Sequence, residues 1–166
     1  MEIKVIDSNK KDFLDLLLLA DEQESMIDKY LERGMLFALY DDDLKSVCVV
    51  TDEGNGSFEI QNLATFEQFQ RKGYGRRLVG HVLEYYKGKG AVMLVGTGDV
   101  PWTVSFYKSC GFVFSHRLEN YFVENYDAPM YDAGVQLVDK VYFKMDLRRQ
   151  KYFLKMEVNK THCCLV

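Results

Sequence analysis

The chain lacks several features that mark large classes of proteins. Its four cysteines show no Cys-x-x-Cys spacing and no regular framework, and its three histidines (His81, His116 and His162) are too scattered for a metal site. The longest apolar run, residues 16–20, is far shorter than the ~20 residues needed to cross a bilayer. Charged residues stand at the N-terminus in place of the basic-then-apolar pattern of a secretion leader. The sequence therefore predicts a cytoplasmic protein with reduced thiols, no metal and no membrane partner.

Length and composition predict one domain. The chain has 166 residues, of which 48% are hydrophobic and 28% charged, as is usual for globular proteins. No repeat, low-complexity segment or linker divides it, so we expect a single domain over residues 1–147 and a tail at 148–166 of unassigned structure. The net charge of −4 argues against broad nucleic-acid binding and permits a cationic substrate.

Hydrophobic periodicity predicts the order of the elements. Alternating or short apolar runs predict seven strands, at residues 2–7, 35–40, 45–50, 57–65, 91–95, 112–117 and 138–147. Helical spacing predicts four helices: one capped by Asp7 or Ser8, one over 22–33 ended by Gly34, one at 73–87 and one at 101–109. Residues 121–134 are predicted to form an acidic, aromatic loop.

The stretch QRKGYGRR, residues 70–77, is the most informative of the chain. Gly73 and Gly75 stand between a predicted strand and a predicted helix, and four positive side chains surround them: Arg71, Lys72, Arg76 and Arg77. Glycine lets the backbone approach a ligand closely, and a helix N-terminus offers free N–H groups and a positive dipole end to an anion. The stretch therefore predicts an anion-binding turn; the alternative is a basic loop that only contacts solvent.

This turn resembles the pyrophosphate-binding motif of the GNAT (Gcn5-related N-acetyltransferase) family, Gln/Arg-x-x-Gly-x-Gly/Ala, which QRKGYG at residues 70–75 matches. The preceding NLATFEQF is similar to the family's strand before that turn, and SFYKSCGF at 105–112 is similar to the end of a later family helix. The predicted element order agrees with the family as far as residue 147. GTG at 96–98 and residues 121–134 resemble a bacterial branch whose substrate is unassigned.

The resemblance implies an α/β (α+β) GNAT fold, a mixed, mostly antiparallel sheet of about seven strands flanked by about four helices. The sheet would splay near Thr65 and Val95 to admit the arm of the cofactor. The resemblance also implies acetyl-CoA (coenzyme A) as co-substrate and a primary amine of a small-molecule or peptidic acceptor. Family members are often dimers, so the resemblance allows a homodimer, but the oligomeric state stays open.

Cofactor contacts follow from the same resemblance. The turn would hold the phosphates of coenzyme A through Gln70, Arg71, Lys72, Gly73, Tyr74, Gly75 and Arg76. The main chain of Leu63 and Thr65 would pair with the pantetheine arm, and the N–H near Leu63 would polarise the thioester carbonyl. Many members carry an asparagine seven residues before the family tyrosine, where this chain has Val100. Either the adjacent Asp99 takes over that contact, or the loop is shaped differently.

Glu59 is the candidate general base. An alkylammonium has a pKa of about 10.4, so a group must remove its proton before the nitrogen can attack. Glu59 lies eleven residues before Gln70, where some GNATs place a catalytic glutamate. Alternation along the strand predicts one shared face for Glu59, Gln61, Leu63 and Thr65. The alternatives are a solvent-facing glutamate and a water chain that serves as base.

Tyr107 is the candidate general acid. By resemblance it lies beside the thioester sulfur, and a phenol with a pKa of about 10 stays protonated at pH 7 and can protonate a leaving thiolate. The alternative is an aromatic residue that packs in the core. Residues 121–134 offer carboxylates for a cationic acceptor, at Glu124, Asp127 and Asp132, or form a solvated surface.

Three other functions compete with acetyl transfer. The same fold could serve as a non-catalytic acyl-CoA-binding or regulatory module. The glycines of GTG at 96–98 could belong to a dinucleotide-binding or methyltransferase loop, but the full Gly-x-Gly-x-x-Gly pattern is absent. Nucleic-acid binding through residues 70–77 is disfavoured by the acidic total charge and the lack of a second basic stripe.

Overall fold

A seven-stranded sheet with helices on both faces forms the frame of the protein, in a computed structural model that describes residues 1–148. The strands of this sheet are β1 (Glu2–Ile6), β2 (Met35–Asp41), β3 (Asp43–Gly54), β4 (Ser57–Thr65), β5 (Val92–Gly98), β6 (Val113–Leu118) and β9 (Lys140–Asp146). Two short strands, β7 (Tyr131–Asp132) and β8 (Val135–Gln136), form a separate two-stranded sheet. The helices are α1 (Leu14–Leu17), α2 (Glu24–Ile27), α3 (Tyr74–Tyr86), α4 (Pro101–Ser109) and α5 (Tyr121–Asn125), with 3₁₀ turns at Lys10–Phe13 and Glu67–Phe69. Apart from Arg148, the predicted tail lies outside the described residues.

The sheet is mixed and splits along one line. Its strand order is β1-β2-β3-β4-β5-β9-β6, and every neighbouring pair is antiparallel except β4 and β5. The parallel pairing ends at Ile60 and Val95. β4 then continues to Thr65 without a β5 partner, while residues 96–98 pair only with β9. The predicted fold is confirmed. The strands part at Val95 as predicted, but on β4 they part after Ile60, earlier than the predicted Thr65.

Two hydrophobic cores cover the two faces of the sheet. β3 is buried on both faces from residue 45 to 51, as expected for a central strand. One core is built on α3, whose buried residues recur at helical spacing: Leu78, Val79, Val82, Leu83 and Tyr86. The other core packs α1 and α2 on the opposite face through residues such as Leu17 and Ile27. Packed side chains therefore cover both faces of the sheet.

The first two helices are shorter than their periodicity predicted. Neither Asp7 nor Ser8 caps α1; a 3₁₀ turn preceded by Asn9 leads into it instead. After α2, isolated helical hydrogen bonds continue to Gly34, whose N–H donates to the Tyr30 carbonyl at 2.8 Å. None of the helices in residues 1–148 has the length and apolar character needed to cross a membrane.

A buried lysine explains how this short helical segment is held. The ammonium of Lys10 donates hydrogen bonds to the carbonyls of Leu31, Glu32 and Gly34, at 3.3, 3.0 and 2.7 Å. These carbonyls come from the end of the helical segment, where main-chain acceptors lack helical partners. The contact spans more than twenty residues of sequence, so local periodicity carries no sign of it.

The segment predicted as a loop at residues 121–134 has structure of its own, and in this respect the prediction was wrong. It contains α5 and β7, and β7 forms a two-stranded hairpin with β8, which follows directly after the segment. Phe122 and Met130 are buried, with 7% and 6% of their surfaces exposed. Such short elements gain their stability from burial of apolar side chains against the rest of the protein, which residue spacing alone does not predict.

Truncating a core side chain of α3 should destabilise the fold. Leu83 is 1% exposed, so we expect Leu83→Ala to lower the free energy of unfolding by about 2–5 kcal/mol, because methylene burial is lost and a cavity is left. Glu84→Ala, at the neighbouring exposed position, is the control and should change it by at most about 0.5 kcal/mol. Urea unfolding of both variants measures the difference; equal losses would contradict the burial of Leu83.

Candidate active site

A cleft of about 860 Å³ opens where β4 and β5 part. Leu63 and Thr65 of β4 line one side, and residues 95–98 of β5 line the other. The volume is typical of small-molecule sites, which span about 300–1,000 Å³. Because β4 has no strand partner on this edge beyond Ile60, its main chain can form hydrogen bonds with a bound molecule.

Most of the predicted cofactor residues meet at this cleft. The cleft is lined by Leu63, Thr65, Gln70, Arg71, Gly73, Tyr74, Gly75, Arg76 and Tyr107. Three predicted site residues are not among its lining residues: Glu59, Lys72 and Asp99. The structure thus brings together the glycine turn, the free edge of β4 and the family tyrosine, which lie far apart in sequence.

The glycine turn leaves a helix N-terminus open to the cleft. Gly73 precedes α3 with a φ of 89°, a left-handed conformation that favours glycine. No side chain caps the first N–H groups of α3, so they are free to bind an anion. A Cβ on Gly75 would lie 3.5 Å from Thr65 Oγ1 and 3.7 Å from a ring carbon of Phe106. Gly75 therefore lies close to both of these side chains.

The positive side chains around the turn have different roles. Arg76 is anchored to the end of α4, where its guanidinium donates to the carbonyl and hydroxyl oxygens of Ser109 at 2.9 and 2.6 Å. Arg71 lines the cleft and is exposed. Lys72 lies beside the Phe69 ring, with its ammonium 5.5 Å from the ring centre. The turn therefore offers an anion two positive charges: that of Arg76, which Ser109 holds in place, and that of the exposed Arg71.

Asp99 points away from the cleft. Its carboxylate accepts a hydrogen bond from the Arg117 guanidinium on β6 at 2.6 Å, and Arg117 also contacts Asp139. The structure gives no support to the expectation that Asp99 contacts the cofactor. The Asp99 carboxylate is attracted to the Arg117 guanidinium because the two groups carry opposite charges. No sequence motif indicated that Arg117 would lie next to Asp99.

Tyr107 lies in the wall of the cleft, where α4 approaches the free edge of β4. Its side chain is 7% exposed and packs edge-to-face against Phe106 and Phe112. Burial raises the pKa of the Tyr107 phenol, and the neighbouring Cys48 and Cys110 add to this rise. The phenol therefore keeps its proton at neutral pH and can donate a hydrogen bond into the cleft.

The strand bulge at Gln61 overturns one expectation about β4. Val49 pairs with Asn62, whereas the next residue, Val50, pairs with Ile60, so one β4 residue is extra. A bulge of this kind reverses the alternation of faces. Leu63 accordingly packs against the α3 core together with Ile60, and Glu59 does not share the Leu63 face as predicted.

Glu59 is instead held in a charged cluster behind the cleft. Its carboxylate accepts a hydrogen bond from the Tyr142 hydroxyl at 3.1 Å and lies 3.8 Å from the Lys140 ammonium. Burial raises the pKa of Glu59, whereas the positive Lys140 and the Tyr142 hydrogen bond lower it. Burial lowers the pKa of Lys140, and Glu59 opposes that shift. The two side chains are about equally buried, at 14% and 12% exposed, but Lys140 lines the cleft and Glu59 does not.

The glycines of GTG have a packing role. A Cβ on Gly96 would lie 2.2 Å from Lys140 Cε, and one on Gly98 would lie 2.6 Å from a Leu137 methyl carbon. Both glycines belong to β5, which pairs with β9 along this stretch. Their absent side chains therefore leave room for neighbours in the sheet, and the turn of a dinucleotide-binding loop is not formed here.

Sequence reasoning missed a second polar group of the cleft, formed by Asp21, Tyr30, Asn62 and Tyr126. All four line the cleft. The hydroxyls of Tyr126 and Tyr30 donate to the two carboxylate oxygens of Asp21 at 3.0 and 3.4 Å. The Asn62 amide donates to the Tyr30 hydroxyl at 2.9 Å. The Asp21–Tyr126 contact joins positions 105 residues apart, so no local spacing could have indicated it.

Removing the Lys140 charge should change the titration of Glu59. Since the ammonium lowers the pKa of Glu59, we expect Lys140→Met to move that pKa further above its usual value. Carbon-13 NMR of the side-chain carboxyl groups against pH measures it. Lys144→Met, at an exposed position of the same strand, is the control and should leave the Glu59 pKa unchanged. A Glu59 pKa that does not rise in Lys140→Met would contradict the contact.

Comparison with known proteins places this geometry in a family. A sequence model of the Acetyltransferase (GNAT) family matches residues 5–112. The uncharacterized N-acetyltransferase YvbK of Bacillus subtilis (strain 168) is 33% identical over 150 residues, which cover 89% of this chain and 97% of YvbK.

Solved structures agree with the match. A GNAT family acetyltransferase from Elizabethkingia anophelis with acetyl-CoA bound is similar at a TM-score of 0.82 and 29% identity, covering 87% of this chain and 97% of that one. A Bacillus subtilis acetyltransferase in complex with CoA is similar at a TM-score of 0.80 and 32% identity, with the same coverage. Because the family match spans more than half of the chain and the fold agrees over most of its length, this chain belongs to the acetyltransferase (GNAT) family.

Proposed function

We propose that the protein is an acetyl-CoA-dependent N-acetyltransferase that transfers the acetyl group directly to a primary amine of a small-molecule or peptidic acceptor. The single observation that carries the proposal is the junction of an uncapped helix N-terminus with an unpaired strand edge in one cleft. A long molecule with phosphates at one end and amide groups along its arm fits both features. Similar structures that contain acetyl-CoA or CoA support this choice of donor.

The donor would lie along the junction. Its phosphates would accept hydrogen bonds from the first N–H groups of α3, beside Arg71 and Arg76, where helix dipole and side chains supply positive charge. Its pantetheine arm would pair with the main chain of Leu63 and Thr65, as a strand pairs with an open sheet edge. The main-chain N–H near Leu63 would then stabilise the oxyanion that forms on the carbonyl.

Acetyl transfer needs a neutral amine beside the thioester. The lone pair of the nitrogen forms a bond to the carbonyl carbon, the carbon–sulfur bond breaks, and the sulfur leaves as a thiolate that must be protonated. Tyr107 is the proposed acid. Its raised pKa makes complete proton transfer to a thiolate less favourable, so its contribution would be a hydrogen bond to the sulfur as negative charge develops.

The burial of Glu59 in its charged cluster weakens the proposal that it is the general base. Its carboxylate is outside the cleft lining and is already engaged by Tyr142 and Lys140. A role in holding Lys140 fits these contacts better. The homodimer, the cytoplasmic location and the absence of a nucleic-acid partner stay predictions from the sequence.

The donor site can be tested at Gly75. We expect Gly75→Glu to abolish acetyl-CoA binding, because the new carboxylate would occupy the anion site at the start of α3. Gly75→Ala is the matched control: the family motif admits alanine, and its Cβ would make only ordinary contacts. Isothermal titration calorimetry with acetyl-CoA measures both. Wild-type protein that is folded but does not bind acetyl-CoA would overturn the proposed function.

A Tyr107→Phe variant separates catalysis from binding. The ring packing is retained, so we expect acetyl-CoA affinity within about twofold of wild type and kcat lower by about 10²–10³-fold, the usual loss when a hydrogen-bond donor to developing negative charge is removed. Free thiol release from acetyl-CoA in the presence of an amine measures kcat. Unchanged kcat would favour a role for Tyr107 in packing, and no transfer by wild type with intact binding would favour the non-catalytic acyl-CoA module.

A further inference from the structure

We propose that Asp21 forms the acceptor site of this enzyme: its carboxylate binds the ammonium group of the acceptor and takes its proton before acetyl transfer. The inference rests on the proposed function and deepens it, since it names the acceptor as an amine that arrives positively charged. It also assigns to Asp21 the proton-accepting role that the sequence suggested for Glu59.

The first observation is a buried carboxylate with no ion-pair partner. Asp21 is 8% exposed, lines the cleft and forms no ion pair with any of residues 1–148. Its hydrogen bonds come from neutral groups, the hydroxyls of Tyr30 and Tyr126 and the main-chain N–H of Gln23. A buried carboxylate without a cation is costly, and a bound ammonium would remove that cost.

The second observation is an unsatisfied acceptor in the same wall. The Oδ1 atom of Asn62 is buried and has no hydrogen-bond partner among the described residues, although Asn62 is only 3% exposed. Its amide nitrogen donates to the Leu17 carbonyl and to the Tyr30 hydroxyl, so this amide orientation leaves Oδ1 as the open acceptor. The Asn62 amide is linked to Asp21 through the Tyr30 hydroxyl, so the unsatisfied acceptor belongs to the same hydrogen-bonded group as the carboxylate.

The position of this group relative to the donor follows from the chain. Asn62 adjoins Leu63, whose main chain is proposed to face the thioester, and the Asn62–Tyr30–Asp21 hydrogen bonds lead from that point along the wall. Tyr126 closes the group from the side of α5, and the N–H of Asp127 donates to the Gln23 side chain at 3.1 Å. The acceptor would therefore lie between α5 and the segment after α1.

Aromatic rings and positive side chains surround this end of the cleft. Lys140 is paired with Glu59, Arg33 is paired with Glu53, and the Lys29 ammonium contacts the Met26 sulfur. The aromatic rings of Tyr30, Tyr121 and Tyr126 surround the site, and ring faces attract ammonium groups. Burial raises the pKa of Asp21, whereas its hydrogen bonds and the charge of Lys140 lower it. The net effect is a rise, so the pKa of Asp21 is closer to that of an amine.

The chemical step balances as follows. The ammonium gives one proton to the Asp21 carboxylate, and the freed lone pair forms the carbon–nitrogen bond. The carbon–sulfur bond breaks, and the second proton lost by nitrogen goes to the departing thiolate. Asp21 then releases its proton to solvent, so the sum is ammonium plus thioester giving amide, free thiol and one proton.

The test compares Asp21→Asn with wild type on two groups of amines. One group consists of alkylamines that are protonated at pH 7, the other of weakly basic aryl amines and hydrazides that are neutral there. We expect kcat/KM to fall about 100-fold for the protonated group and by less than about threefold for the neutral group, because asparagine keeps the shape but neither binds the cation nor takes its proton. Tyr126→Phe should lose about tenfold for the protonated group only.

A pH profile gives a second readout. The charged group that faces Asp21 is Lys140 from β9, which is itself paired with Glu59, and the phenols of Tyr30, Tyr121 and Tyr126 lie around it. In Asp21→Asn, only amine already deprotonated in solution can react, so kcat/KM should climb with pH toward the amine pKa of about 10.4. In the wild type it should reach its plateau at lower pH.

Controls separate this inference from the proposed function. Asp15→Asn, an exposed aspartate on α1, should behave as wild type. Calorimetry should show that Asp21→Asn binds acetyl-CoA as wild type does. If the wild type does not bind acetyl-CoA, both the function and the inference fail. If it does bind, and Asp21→Asn acetylates protonated amines at the wild-type rate, or the wild type acetylates only neutral amines, the inference alone is overturned.

Discussion

The parting of β4 and β5 is the constraint on which the rest of this structure depends. The two strands pair in parallel only as far as Ile60 and Val95. Beyond that point, each strand keeps its outer neighbour, so the sheet stays intact on both sides of an open gap. An unpaired strand edge inside a protein needs hydrogen-bond partners, and a bound molecule of the right shape can supply them.

The cleft is polarised from end to end. At the α3 end, an uncapped helix N-terminus and two arginines favour anions. At the other end, the proposed acceptor site places the Asp21 carboxylate among tyrosines, where it would bind a cation. This arrangement suits a reaction between an anionic donor and a cationic acceptor, because each is attracted to its own end and the reacting groups meet between them. The buried Glu59–Lys140 pair adds no net charge between the ends, so it does not disturb this separation.

Local sequence patterns correctly predicted the elements in which apolar residues recur regularly. The regular spacing of apolar residues in α3 and the alternation in the long strands gave correct elements, since each of these faces a core along its whole length. The patterns failed where tertiary contacts decide the local structure. The helix expected over residues 22–33 is cut short while Lys10 binds its carbonyls, and the short α5 exists because Phe122 is buried. The bulge at Gln61 has no local signature, yet it moved Glu59 to a different face from Leu63.

The sequence by itself determined the fold class and indicated the proposed donor end of the site. Gly73, Gly75 and the amphipathic helix that follows them are contiguous, so adjacent residues carry this signal. The proposed acceptor end depends on the tertiary structure alone, because Asp21, Asn62 and Tyr126 come from three distant segments and are joined by contacts that span up to 105 residues. The same holds for Asp99, whose carboxylate is drawn to Arg117. The orientation of a charged side chain depends on the nearest opposite charge in space. Which residue supplies that opposite charge is known only from the folded structure.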